Sequence, residues 1–338
     1  MSKRGKKQEK KNSGKILIVV FLFVYLVYSI AIQMGYSFSY TPKESDIKKI
    51  KEIKKFVDND FFDKIYNKLY YKLKTSEESL DGLEVQFIDV GQADAILVRS
   101  GKDSMLIDAG NNEDGKLLVN YLSKLGITDF KYVVGTHAHE DHIGGMDNVI
   151  RNFKIGTFYM PDAITMTPTF EFVLDELEKK GYDYTIPEIG EKLKLGDAII
   201  TVVYTKANPE DLNDSSIILL LEYNKVRVLF TGDATGNIEK EMLSKDIKAN
   251  VLKVAHHGSR YSTTDDFLDK VNPQYAIISV GKNNDYGHPH KPILDKLNKK
   301  GIEVYRTDKL GTIILTTDGN KINIKSIKTE TDGKWNML

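Results

Sequence analysis

The sequence predicts a layered α/β domain preceded by one N-terminal transmembrane helix. Three observations lead there. From Leu83 onward, short strand-like runs alternate with amphipathic helical runs, a texture that implies stacked layers of sheet and helix. Ile16 to Met34 is apolar and uncharged, about the roughly 20 residues a spanning helix needs. All seven histidines fall in three short clusters, at 137–142, 256–257 and 288–290.

Composition narrows the chemistry. The chain has 338 residues, 41% hydrophobic and 28% charged, typical of a globular protein with a sizeable core. Zero net charge hides an asymmetry: residues 1–80 carry 17 Lys+Arg against 9 Asp+Glu, and residues 81–338 carry 31 against 39. An acidic globular part is a poor polyanion binder, unless bound cations reverse the local field. The chain has no cysteine, so disulfides and thiolate metal sites are excluded. Histidine, carboxylate and other nitrogen or oxygen donors remain.

Taken in order, residues 1–15 form a basic cytoplasmic tail and 16–35 the membrane anchor. Lys and Arg precede the apolar run, which places the N-terminus inside and the remainder outside the cell membrane, as a single-pass protein with an extracellular domain. Ser29-Ile30-Ala31 resembles a small-residue cleavage site, and cleavage after Ala31 would release a secreted protein. The length of the run favours a retained anchor. Residues 36–80 read as a helical stalk, with Ile47, Ile50, Ile53, Val57, Phe61, Ile65 and Leu69 at three- and four-residue steps. Residues 81–330 form the globular domain. Its expected strands are 83–89, 95–99, 104–108, 132–136, 199–204, 216–223, 227–231, 250–255, 275–280, 303–306 and 312–317. Its expected helices are 116–125, 169–180, 237–244, 264–271 and 292–299.

The strongest chemical signal follows the run ending at Thr136, where His137, His139, Asp141 and His142 fall within six residues. A turn there aims His137 and His139 at one point and Asp141 and His142 at a neighbouring one. Neutral imidazole with carboxylate is a ligand set for zinc or a similar divalent ion.

His137-x-His139-x-Asp141-His142 resembles the signature of the metallo-β-lactamase superfamily. Phe87-Ile-Asp89-Val-Gly91-Gln92-Ala-Asp94, Leu106-Ile-Asp108-Ala-Gly110, Thr231-Gly232-Asp233, Ala255-His256-His257-Gly258-Ser259 and Tyr286-Gly-His288-Pro-His290 are similar to the hydrolase domain of the ComEC competence proteins, over roughly 83–328. The resemblance implies an αββα sandwich: two mixed sheets face to face, helices outside, metals at one edge. It implies two divalent cations, zinc with manganese as the alternative. His137 and His139 would hold one, Asp141 and His142 the other. Asp233 would bridge them, and one or both of His256 and His257 would complete the shell. Asp108 would orient a ligand imidazole, and His288 would donate to the leaving group or a phosphoryl oxygen. Ser259 would hydrogen-bond substrate or cap the following helix. No histidine lies between His142 and His256; Asn213-Asp214-Ser215-Ser216 stands there, so the first metal's remaining ligand is open among Asp214, Asn213 and His256.

The expected function is a membrane-anchored, metal-dependent phosphodiesterase of nuclease type. Two cations roughly 3.5–4 Å apart would bring the pKa of a bridging water toward about 7, with Asp141 among the catalytic ligands. Its substrate would be a phosphodiester, in nucleic acid or a cell-wall polymer. The alternatives are a cell-surface phosphoesterase for phosphorylcholine or teichoic acid, and a non-catalytic metal-binding module. β-Lactam hydrolysis is disfavoured by the missing histidine. No basic, aromatic-interleaved stretch of the kind that tracks a single strand is present, and no protein partner is inferable.

Overall fold

A computed structural model describes residues 80–328. The expected anchor at 16–35 and the stalk up to residue 79 lie outside the described residues. Within them, no helix is long and apolar enough to cross a membrane.

The chain opens with antiparallel β1 (Leu80–Phe87), β2 (Ile96–Gly101) and β3 (Asp103–Ile107). Then follow α1 (Gly115–Lys124), β4 (Asp129–Val134), the short α2 (Glu140–Ile143), α3 (Met146–Asn152), β5 (Lys154–Tyr159), α4 (Pro168–Lys180) and β6 (Tyr184–Thr185). The second half begins with β7 (Lys192–Leu195), β8 (Ala198–Tyr204), β9 (Ile218–Tyr223) and β10 (Val226–Phe230). It continues through α5 (Gly236–Met242), β11 (Val251–Lys253), α6 (Asp265–Val271), β12 (Tyr275–Ile278), α7 (Lys291–Lys299) and β13 (Glu303–Arg306). After α8 (Thr307–Leu310), β14 (Thr312–Thr317) and β15 (Ile322–Ile327) return to the first sheet.

Two mixed sheets result, ordered β15-β14-β1-β2-β3-β4-β5-β6 and β13-β12-β11-β10-β9-β8-β7. Strand alternation explains their packing. Val85 and Phe87 of β1 turn inward to meet Val228 and Phe230 of β10, whereas Gln86 turns outward and accepts a hydrogen bond from Tyr121 of α1 at 2.5 Å. Phe87 and Phe230 join the two sheets, ring centroids 6.2 Å apart. Outside the second sheet, Ile238 and Met242 of α5, Phe267 of α6 and Ile293 of α7 cover Leu229, Leu252 and Ile278. This is the α/β sandwich.

Local chemistry sets the helix ends. In α4, Thr167 accepts the Phe170 N–H at 3.3 Å, Pro168 opens the first turn, and Gly181 closes the helix at φ 68°. Expected elements recur within a few residues, with differences. β5, β6, β7 and β15 form where no strand is expected. They are short, or alternate lysine with apolar residues as in Lys192-Leu-Lys-Leu195, and sheet pairing stabilises them more than propensity does. The turn expected around 137–142 becomes a turn followed by α2, so Asp141 and His142 ride on a helix rather than a loop.

The topology positions one edge. β3–β4–β5 run parallel in one sheet and β10–β11–β12 in the other. Asp108 follows β3, the 135–142 segment follows β4, Asp233 follows β10, and His256-His257 follow β11. Ligand sites of parallel sheets form outside such carboxyl ends.

Candidate metal centre

Backbone hydrogen bonds tie the strand-end loops together. The Asp94 N–H donates to the Asp141 carbonyl (3.0 Å), Ala109 N–H to the His142 carbonyl (2.7 Å), and Gly110 N–H to the Asp94 carbonyl (2.8 Å). Gly145 is required by this approach, because a Cβ there would lie 2.3 Å from the Ala109 carbonyl oxygen. Asp108 itself has φ 59°, and His256 and His257 have φ 51° and 52°. Three non-glycine residues in the left-handed region mark backbone held by its surroundings.

Asp141, His142, Asp233 and His257 each present a ligand atom, all within 4.8 Å of one another. Two of the imidazoles are oriented from behind. His142 Nδ1 donates to Asp108 Oδ2 at 2.8 Å, and His257 Nδ1 donates to the Ser279 carbonyl at 2.9 Å. Both Nε2 atoms therefore face the cluster. His257 Nε2 lies 3.2 Å from Asp141 Oδ2 and 3.7 Å from Asp233 Oδ2; His142 Nε2 lies 3.3 Å from Asp233 Oδ1. Asp108 is clamped in turn by the Thr136 N–H and hydroxyl, both at 2.8 Å.

His137 Nε2 and His139 Nδ1 stand 3.0 Å apart as a second donor pair, and the His137 ring lies 4.1 Å from that of His142. The structure brings His257, not His256, into the four-residue group. The His256 Nε2 atom is 3.7 Å from Asp233 Oδ2, and its Nδ1 is buried without a hydrogen-bond partner. The 213–216 segment lies beside Asp233. Ser216 Oγ accepts the Asp233 N–H at 3.1 Å, Asp214 Oδ1 accepts the Thr235 hydroxyl at 2.6 Å, and Asn213 Oδ1 is buried and unbonded. His288 stacks over His257 with centroids 6.4 Å apart. The Ser259 side chain is buried and its Oγ accepts the Tyr261 N–H at 3.5 Å, whereas the residue at the N-cap of α6 is Thr264.

The electrostatics follow from burial and from neighbours pulling against it. Burial opposes a proton on His142, but Asp233, Asp108 and Asp141 outweigh it and hold its pKa well above the usual imidazole value. Burial opposes charge on Asp233, yet His142 and His257 hold its carboxyl well below the carboxylate range. Burial also disfavours the proton on His257, and Asp233 and Asp141 raise it. For His137, burial and the neighbouring His142 both push the pKa well down. Burial pushes the Asp108 carboxyl up against the pull of His142. Burial and His257 bring His288 down to about 4.

The donor set fits a divalent cation. Among the described residues, His142 Nε2 and Asp233 Oδ1 are buried without a well-aligned hydrogen-bond partner. Orphaned buried polar atoms are costly, and a bound divalent cation would offset that cost.

Three contributors escape the sequence reading. Asp94 and Lys253 form a fully buried ion pair, Nζ to Oδ2 2.7 Å, with Asp94 Oδ1 3.8 Å from His257 Nδ1. A lysine in the apolar run Val251-Leu-Lys253-Val was the available signal. Gln92 holds the third place: its Oε1 accepts the Gly281 N–H at 3.0 Å and its Nε2 lies 3.5 Å from His288 Nδ1. A cleft of about 550 Å³ opens beside Asp141, lined by Gly91, Gln92, Asn111, Glu113 and Tyr286 among others. A separate cavity of about 460 Å³, at Lys225, Arg227 and Lys248, touches none of these groups.

Comparison with known proteins adds an independent line. A family model described as the metallo-beta-lactamase superfamily matches residues 88–282. The chain is 34% identical over 251 residues to ComE operon protein 3 of Bacillus subtilis, covering 68% of this chain and 32% of that protein. It is 26% identical over 258 residues to Recombination protein 2 of Haemophilus influenzae (73% and 30%), and 25% over 229 residues to Competence protein ComA of Neisseria gonorrhoeae (67% and 31%). It thus spans about a third of the length of each. Among solved structures, it is similar to the metallo-beta-lactamase fold protein YhfI from Bacillus subtilis, at 14% identity and TM-score 0.47 over 67% of this chain and 96% of that one. It is also similar to CmlA, a diiron β-hydroxylase from Streptomyces venezuelae, at 13% identity and TM-score 0.49 over 80% and 60%.

Proposed function

Because the chain belongs to the metallo-β-lactamase superfamily, whose metal-dependent hydrolase fold it carries, we propose that it is a membrane-anchored phosphodiesterase working at the His/Asp cluster. One observation carries the reading: His142 Nε2 and Asp233 Oδ1, buried and without a well-aligned hydrogen bond, lie with ligand atoms of Asp141 and His257 within 4.8 Å of one another. Asp141, His142 and His257 would hold one cation, His137 and His139 a second, with Asp233 between them. Zinc suits the donors, with manganese as the alternative.

A divalent cation in such a site supplies polarisation of a phosphoryl oxygen and a more acidic water. The side chains do the rest. Asp108 and the Ser279 carbonyl fix which nitrogen His142 and His257 present. Gln92, with its oxygen committed to Gly281, offers an N–H to His288 Nδ1, so that neutral His288 carries its N–H on Nε2 and would present it as a hydrogen bond to a phosphoryl or leaving-group oxygen. Relatives named for competence and recombination support a nucleic acid phosphodiester as the substrate class. The uncharged run at 16–35 behind a Lys/Arg-rich tail supports a single-pass anchor with the domain outside.

The test is a parallel assay of purified, metal-supplied protein on bis-p-nitrophenyl phosphate, single-stranded DNA, a phosphorylcholine ester and nitrocefin. Turnover of a phosphodiester and not of nitrocefin is expected; the reverse overturns the reading. Protease added to intact cells should remove the domain, and full protection would sink the topology.

A further inference from the structure

The cluster is not the end of the aromatic order around it. His257, His288 and Tyr286 form a column: His288 lies 6.4 Å from His257 at an interplanar angle of 26°, and Tyr286 lies 5.6 Å from His288 at 20°. Both spacings fall in the roughly 4.5–7 Å range of stacked rings. The column begins buried at His257 and ends at Tyr286, which is 69% exposed. One face of the Tyr286 ring rests on His288, and the exposed residue lines the 550 Å³ cleft. That volume lies within the about 300–1,000 Å³ usual for ligand sites.

The platform is built. Asn284 Nδ2 donates to the His288 carbonyl at 2.7 Å and its Oδ1 accepts the His288 N–H at 2.9 Å, closing the loop that bears Tyr286. Gly281 anchors the loop on Gln92, where a Cβ would fall 2.6 Å from the Gln92 nitrogen. A ring held in this way loses little freedom when something stacks on it. The cleft also selects by charge. Asp89, Glu113, Asp114, Glu140 and Asp141 line it, and carboxylates repel a phosphate. What enters beside Tyr286 is therefore the flat, uncharged part of a phosphodiester, with its phosphate left at the cluster and its ring edge able to donate to a carboxylate.

We propose that this cleft is a base-binding subsite, in which a nucleobase of a single-stranded substrate stacks on the face of Tyr286 opposite His288. The inference rests on the phosphodiesterase reading for its substrate class and adds the residue that recognises the base. Tyr286 is a specificity residue here, distinct from the groups that act on phosphorus. The sequence lacks a contiguous aromatic-basic stretch, but the fold assembles a stacking surface from a ring in one loop beside carboxylates of the loops after β1 and β3 and of α2.

The test uses the full chain in detergent with zinc or manganese supplied. Binding is followed by fluorescence anisotropy with an end-labelled, phosphorothioate-linked oligothymidylate and an abasic strand of equal length and charge. The wild-type protein should prefer the base-bearing strand. Tyr286→Ala should lower the ratio of the two affinities about tenfold, the scale of one lost base–aromatic stack. Tyr286→Phe should restore it, which separates stacking from misfolding. Equal affinities in the wild type, or an unchanged ratio in Tyr286→Ala, overturns the proposal. So does Tyr286-dependent competition by a choline phosphodiester, which would make the subsite one for ammonium. A base preference that depends on Tyr286, with no cleavage of the same oligothymidylate made with ordinary phosphodiester linkages, upholds the subsite and sinks the phosphodiesterase reading instead.

Discussion

The two donor sets differ in how they are made. His137 and His139 come from a single turn and stand as a pair, 3.0 Å apart. Asp141, His142, Asp233 and His257 come from three separate strand ends and converge within 4.8 Å. The pair is local, and among the described residues it belongs to no group of three or more converging ligand atoms. The quartet is long-range and braced from behind by Asp108 and the Ser279 carbonyl. The difference teaches that a cation at the quartet would be held by the whole fold, and one at the pair would depend on what the quartet and Asp233 lend it.

The sharpest way to break that comparison is Asp233→Asn. The substitution keeps size and removes the charge that, on the proposed reading, would lie between two mutually repelling cations. Turnover is expected to fall by about a hundredfold or more, the scale of losing a principal electrostatic stabiliser, and elemental analysis should show less metal per chain than in the wild type. Two-metal content with near-normal rates would move the bridge to Asp214. Next in size, His257→Gln should cost far more metal than His256→Gln. His257 has its Nδ1 committed and its Nε2 aimed into the quartet, whereas His256 lies outside it. Equal losses by elemental analysis would put both imidazoles in the shell.

Much of this was legible in the sequence, and the parts that were not share a cause. The 137–142 ligands are contiguous, so spacing reveals them. Asp233 and the 256–257 pair close apolar strand runs, but it is the family resemblance that singles them out as candidate ligands. The choice between His256 and His257 is invisible, because adjacent residues in a left-handed turn diverge by a rotation that only the fold sets. The Asp94–Lys253 pair is equally hidden: each is one charged residue in a buried segment, and only the joining of β11 to the loop after β1 brings them to 2.7 Å. β7 and β15 were obscured for a related reason, since their stability comes from the partner strand.

A smaller effect separates orientation from ligation. Asp108→Asn leaves every donor of both sets in place and removes only the acceptor behind His142. Loss of such an orienting partner costs about 10–100-fold in metal affinity or activity, and the low end is expected here because the Thr136 clamp on Asp108 persists through the amide. A metal titration run on both proteins at several pH values should show rates and affinities moving together; a loss as large as that of Asp233→Asn would make Asp108 a ligand.

The same titration yields the last prediction, which concerns protons. His142 and His257 both have pKa values raised by their carboxylates, against the effect of burial. A raised pKa means the proton stays on as pH climbs through the ordinary imidazole range. A cation binds only the neutral ring, so loading must expel those protons. Metal affinity should therefore rise with pH through neutrality and level off only above the raised values, and loading in weak buffer should acidify the solution. The pair behaves differently: His137 is pushed well down and is already neutral there. His137→Gln should then weaken loading while leaving the proton release per quartet-bound cation intact. Asp108→Asn removes one of the charges that raise His142 and should reduce that release. Proton release that vanishes in His137→Gln and survives in His257→Gln would place the titrating imidazoles in the pair, and the contrast between the two donor sets would be reversed.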